Sequence, residues 1–264
     1  VSPPVNWWAI ISRPSGAVRA GLTLRRTAEG GCPYACSIET MVILATDTSG
    51  KYGSIALARG NPDGSCVVIE VVPLTGGTFS AQLVPQIAVL LARHGFHKED
   101  IGAFAVASGP GSFTGLRVGL AAVKALAEAL RKPIAVVSLL EAVATASLAQ
   151  GRVLSALDAG RNEVYLGEYE VGNSGTRLIH ERLVTREELT ELATSTKILT
   201  PDKSVADAAR AQGCQVEEVE RPSSGAIARL GWKKVLSCDT VLPEALEANY
   251  IRRSDAEIFS KGSS

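Results

Sequence analysis

The sequence predicts an α/β protein built as two similar halves. Three observations carry that prediction. A meander of three apolar segments opens each half, segments of helical and strand period alternate after each meander, and the composition is that of a globular chain. Hydrophobic residues make up 46% of the 264 and charged residues 20%, which excludes a wholly disordered or collagen-like chain.

Met41 is the single methionine and stands directly before "VILATDTS", an apolar run with the character of a first strand. Residues 1–40 hold two of the three tryptophans and show neither helical nor strand period, and "WWAII" is too short for a secretory core. They are expected to be a disordered upstream extension translated from a misplaced start.

"GSIALARG" and "SCVVIEVV" complete the first meander, with "NPDG" as the turn between them. "SAQLVPQIAVLLARHG" places Leu83, Ile87, Leu90 and Leu91 on one side of a helix, with Ser80 as candidate N-cap and Gly95 as the stop. "AFAVASG" reads as a buried strand, "TGLRVGLAAVKALAEALRK" as a helix ended by Pro133, "IAVVS" as a strand and "LLEAVATASLA" as a helix.

The second half begins near Gly151. "VLSALDAG" and "EVYLGEYE" pair across "RN", "TRLIHERLV" is a third strand, and "TREELTELAT" is a helix capped by threonine. "KILT", a helix near "SVADAARAQG" and the closing "SSGAIARLGWKKVLSC" follow. The lobes are expected at 41–148 and 149–264, divided near 145–151, with the last helix crossing back to the first lobe.

Lysine plus arginine equals aspartate plus glutamate, 27 against 27, so no overall field draws the chain onto nucleic acid. Without Arg13, Arg19, Arg25, Arg26, Glu29 and Glu39, residues 41–264 are slightly acidic. No apolar run approaches the roughly 20 residues needed to span a bilayer. The five cysteines form no CxxC pair and no zinc spacing, and read as free thiols of a reducing cytoplasm.

The loop Ser108, Gly109, Pro110, Gly111, Ser112, Phe113, Thr114, Gly115 stands between a strand and a helix. It lacks the Walker lysine, its glycines are spaced GxGxxxG rather than GxGxxG, and it is no GxSxG elbow. Two readings stay open. Ser108, Ser112 and Thr114 cap a buried helix, or the backbone N–H groups with Arg117 hold a phosphate or carboxylate. The helix itself carries two apolar stripes. Leu116, Leu120, Val123, Ala127 and Leu130 form one; Gly115, Gly119, Ala122, Leu126 and Ala129 form a second, small-residue stripe that points to a closely approaching helix of another chain.

"ILATDTS", "SGPGSFTGLRVG" and "LDAGRNEVYLGEY" together resemble the TsaB (formerly YeaZ) family, over about residues 41–260. The resemblance implies a two-lobed actin-like, Hsp70-like ATPase (ASKHA) fold. It also implies a non-catalytic subunit that pairs with a TsaD-like catalytic paralogue. The pair, joined by a TsaE-like ATPase, serves N6-threonylcarbamoylation of adenosine 37 in tRNAs reading codons that begin with A.

Contact with tRNA is then expected only through the complex, with a homodimer when the chain is alone. The pairing surface falls on the first two helices, at Leu83, Ile87, Gly115, Gly119, Ala122, Leu126 and Ala129. Relatives usually read Thr-His-Ser before the first of these, where this chain has Thr78-Phe79-Ser80.

The rival class is an ATP-dependent kinase or transferase, or a metalloprotease-like enzyme, of the same superfamily. A metal enzyme would want an HxxxH pair, and the three histidines, His94, His97 and His180, supply none. Asp47, Thr48, Ser49 and Asp158 are candidates for a vestigial nucleotide–magnesium site. No metal or other cofactor is expected. Arg161, Glu163 and Tyr165 read as hairpin and lobe-contact residues.

Overall fold

The computed structural model describes residues 40–75, 79–172 and 175–252, so the reading of residues 1–39 and of Thr78 lies outside the described residues. Each lobe holds a five-stranded mixed sheet. In the first, β1 (Met41–Asp47), β2 (Gly53–Gly60) and β3 (Cys66–Leu74) form the antiparallel meander. β4 (Ile101–Gly109) and β5 (Ile134–Ser138) extend it on the other side of β1 in parallel, giving the order β3-β2-β1-β4-β5.

The second sheet repeats this plan. β6 (Gly151–Gly160), β7 (Glu163–Gly172) and β8 (Gly175–Thr185) are antiparallel, and β9 (Lys197–Thr200) and β10 (Val216–Glu218) add in parallel beside β6. Read from β8, the order is that of the first sheet, so the two lobes of the α/β fold share one plan.

Among the described residues six α-helices clothe the sheets: α1 (Phe79–Arg93), α2 (Phe113–Leu130), α3 (Leu139–Ala144), α4 (Arg186–Leu192), α5 (Lys203–Ala211) and α6 (Ser224–Leu236). Helix α1 starts one residue before Ser80, so Ser80 sits inside the first turn and caps nothing; the buried ring of Phe79 anchors the start instead, against Gly53. Gly95 ends α1 at φ +71°, a left-handed turn that costs glycine no Cβ clash. Thr185 caps α4 with a reciprocal Glu188 contact, as its sequence predicts.

Side-chain alternation along the central strands builds two different faces. Leu44, Ile55, Leu57, Phe104 and Val106 meet Leu83, Ile87 and Leu90 of α1 and Leu116, Leu120 and Val123 of α2. The opposite face is lined by Ala45, Ala56, Ala58, Ala103, Ala105 and Ala135, and α6 packs there, having returned from the end of the second lobe. Alanines let that helix come close: a methyl added at Gly231 would lie 2.5 Å from the Ala105 Cβ, and one at Gly60 2.3 Å from the Trp232 ring. A separate cluster of Leu154, Ala156, Val164, Leu166, Leu189, Ile198 and Val205 closes the far side of the second sheet under α4 and α5. No helix among the described residues is long and apolar enough to cross a membrane.

Candidate functional site

The glycine-rich loop is used internally. Thr48 donates its hydroxyl to the Gly115 carbonyl at 2.7 Å, and Ser112 N–H donates to the Ser49 carbonyl at 2.6 Å. A methyl at Gly111 would lie 2.3 Å from the Ser49 carbonyl oxygen, and one at Gly115 2.1 Å from that of Thr48. The glycines therefore let the chain leaving β1 lie directly against the start of α2. Of the proposed caps, Ser112 is the N-cap, accepting from Gly115 N–H. Ser108 is buried and donates instead to Val137, and Thr114 is exposed within the helix.

This corrects the small-residue stripe. Gly119 is buried under Thr48, whose hydroxyl oxygen would be 2.3 Å from an added methyl. Gly115 and Gly119 thus meet their own lobe rather than another chain, and Leu83 and Ile87 are core residues, 1% and 4% exposed. Gly119→Leu is expected to lower the melting temperature of the free chain by several degrees, because a side chain forced into a packed site costs about 1–3 kcal/mol. A thermal melt by circular dichroism checks it; an unchanged melt would mean that Thr48 swings clear.

What stays accessible is the outer surface of the same two helices. On α2 Ala121, Ala125 and Ala129 are exposed, with Val118, Ala122 and Leu126 half-buried beside them. On α1 Ala81, Val89 and Ala92 are exposed and Val84, Pro85 and Ala88 half-buried. From Phe79 to Ala92 α1 has no charged residue, although its outer side faces away from the sheet. Of the residues expected at the interface, Ala122, Leu126 and Ala129 lie on this face; the i, i+4 spacing of Ala121, Ala125 and Ala129 is the sequence signal for it. Arg117, Lys124 and Glu128 stand along one side of it.

The four candidates for a nucleotide site are engaged by the chain itself. Asp47 is 8% exposed and accepts from Ser49 through its N–H at 2.9 Å and its hydroxyl at 2.5 Å. Asp158 accepts from Gly160 N–H at 2.9 Å and from the Ser204 hydroxyl at 3.2 Å, with Arg186 at 3.6 Å. Arg221 pairs with Asp202, which takes the Asp158 N–H at 2.9 Å, and its charge also acts on Asp47. These contacts hold both carboxylates in place from within the chain. Among the described residues no group of three or more His, Cys, Asp or Glu comes together.

Burial pushes the Asp47 carboxyl up, against the opposing pull of Ser49 and Arg221. The folded chain therefore holds the proton more tightly than the unfolded chain. That contribution to stability is full below the unfolded carboxylate range and is lost as pH rises through the folded value. Asp47→Asn keeps an acceptor for Ser49 and carries no charge. Its melting temperature relative to the parent is expected to climb as pH is raised from about 3 to about 7, and a flat difference would count against the burial argument.

Between the lobes runs a cleft of about 460 Å³, lined by Pro110, Gly111, Phe113, Arg161, Tyr165, Tyr250 and Arg252 among others. A strap at residues 246–252 crosses it. Asn249 N–H donates to Ser108 on the first lobe at 2.8 Å, and Arg252 donates to the Ala159 carbonyl at 2.9 Å and pairs with Glu163 on the second. Arg117 stacks over Phe113, 3.7 Å from the ring centroid, and its Nε donates to the Tyr250 hydroxyl at 3.3 Å.

Residues 71–231, from β3 to α6 and so across both lobes, match the family model described as TsaD, tRNA N6-adenosine threonylcarbamoyltransferase. The chain is 37% identical over 138 residues to the tRNA threonylcarbamoyladenosine biosynthesis protein TsaB of Bacillus subtilis, covering 50% of this chain and 57% of that one. To the TsaB of Escherichia coli it is 32% identical over 158 residues, covering 54% and 66%. These matches span between about half and two thirds of the relatives' lengths. YeaZ from Pseudomonas aeruginosa superposes with a TM-score of 0.65 at 24% identity, over 80% of this chain and 99% of that one, which shows the shared fold. The chain belongs to the threonylcarbamoyltransferase family of that model, among its TsaB/YeaZ members.

Proposed function

We propose that the chain is the non-catalytic subunit that pairs with a TsaD-like catalytic paralogue and is required for N6-threonylcarbamoylation of adenosine 37 in tRNAs reading codons that begin with A. The observation that carries this reading is the uncharged outer face of α1 beside the alanine stripe of α2. The outer side of α1 and the alanine stripe of α2, bordered by Arg117, Lys124 and Glu128, leave apolar surface in water that a partner's helices would cover. The names of the relatives supply the pathway, since TsaB of B. subtilis and of E. coli are both threonylcarbamoyladenosine biosynthesis proteins.

On this reading the assembly forms in the cytoplasm, a TsaE-like ATPase joins the pair, and the free chain self-associates through the same face. The chain needs no nucleotide or metal of its own on this reading. The test is reconstitution of tRNA modification from the TsaD-like subunit, the ATPase and the enzyme that makes the threonylcarbamoyl adenylate, with and without this chain. Modification that appears only when the chain is added supports the helper role. Transfer or ATP turnover by the chain alone would make it an enzyme of the same superfamily.

A further inference from the structure

The geometry points to the interlobe cleft as a binding site for an unpaired nucleotide of RNA. The inference deepens the proposed function and rests on it for the choice of RNA. The cleft brings together aromatic faces and guanidinium groups from both lobes, the pairing of groups by which single-stranded nucleic acid is held.

From the first lobe come Phe113, 36% exposed, and Arg117, with Tyr250 of the strap, 44% exposed, at 4.9 Å from the Phe113 ring. From the second come Tyr165 and Arg161, the latter at a hairpin turn with φ +54°. Arg117 has no carboxylate partner among the described residues and spends its charge on the Phe113 face and the Tyr250 hydroxyl. Among the described residues no carboxylate lines the cleft, and the nearby Glu163 is taken by Arg252.

The site lacks what an isolated nucleotide would need. Asn249 is the one side-chain amide in the lining, and its NH₂ is spent on Glu181. Neither Asp47 nor Asp158 lines the cleft. Stacking on the half-exposed Tyr250 ring, which Phe113 and Arg117 hold from behind, with phosphates of the flanking strand near Arg117, suits a base presented by an RNA loop. The balanced net charge of the chain fits as well: a local pair of arginines adds to a composite surface without making the isolated subunit a strong RNA binder.

The experiment is fluorescence anisotropy of the full chain with a labelled RNA hairpin carrying an unpaired loop. The same sequence as a full duplex and unlabelled AMP as competitor separate the sources of the nucleotide. The hairpin is expected to bind about tenfold more tightly than the duplex, with AMP displacing it only at far higher concentration.

Tyr250→Ala should weaken hairpin binding about tenfold while Tyr250→Phe holds it within about twofold, because the ring and not the hydroxyl carries the base. Arg117→Gln should weaken it similarly and reduce the salt slope by about one. If Tyr250→Ala melts early, Arg161→Gln at the exposed turn supplies the same readout. Equal binding of duplex and hairpin, displacement by AMP at the concentration of the RNA, or unchanged affinity in these variants would each overturn the assignment. Size exclusion with the TsaD-like subunit, run on Tyr250→Ala and Arg161→Gln, separates this outcome from failure of the pairing reading, since neither residue lies on the pairing helices and both variants should still pair.

Discussion

Ala125→Arg is expected to weaken pairing with the TsaD-like subunit about thirtyfold or more and to reduce reconstituted tRNA modification with it, while the free chain melts at the parent temperature. Ala125 is exposed at the middle of the Ala121, Ala125, Ala129 stripe and touches the partner only if that stripe is the interface. Arginine has nearly the helix propensity of alanine, and an exposed substitution changes folding stability by only about 0.5 kcal/mol or less.

At an apolar interface the same change inserts a long side chain and buries an unpaired charge, at a cost of roughly 2–5 kcal/mol of affinity. Titration calorimetry reads the affinity and the modification assay reads the consequence. Ala125→Ser, which adds one hydroxyl, should pair within about tenfold of the parent. A complex that forms normally with arginine at this position would place the partner elsewhere and remove the main support for the proposed function.

Trp232→Ala is expected to be the most destabilising single truncation, about 3–5 kcal/mol, which is roughly a 6–20 °C fall in melting temperature for a chain of this size. The ring is 2% exposed, lies against Gly60 at the end of β2 and donates its indole N–H to the Asn61 carbonyl at 3.1 Å. Removing it opens a cavity where α6 holds the alanine face of the first sheet. Gly60→Ala attacks the contact from the other side and should cost less, about 1–3 kcal/mol, since one methyl rather than a whole ring is misplaced. A melt of Trp232→Ala within a degree or two of the parent would show that α6 adds little to the first lobe.

Much of the architecture was legible in the sequence because it rests on short-range regularities. The period-2 runs of β1, β2 and β4, the helical period of α1 and α2, the Gly95 stop and the Thr185 cap are decided by residues within a few positions of one another. β10 was not legible. Val216–Glu218 carries one apolar residue and two glutamates, and it becomes a strand only because β9 offers it an edge.

The motif shows the same division at finer scale. Its glycines could be seen to demand a close approach, but Thr48 and Ser49 stand some sixty positions earlier, and no local pattern announces that they fill the space. Gly119 therefore read as a partner contact when it is a seat for the chain's own Thr48. Leu83 and Ile87 were recognised as one face of a helix, yet which face a sheet covers depends on how the helix is laid down.

The sequence by itself determined the kinds of element, their order and the doubled plan, because hydrophobic period and capping chemistry act within a turn or a strand. The tertiary structure alone decided which faces remain open. Burial is set by what arrives from distant parts of the chain: α6 onto the alanines of the first sheet, Thr48 onto Gly119, and the strap that brings Tyr250 and Arg252 to the cleft.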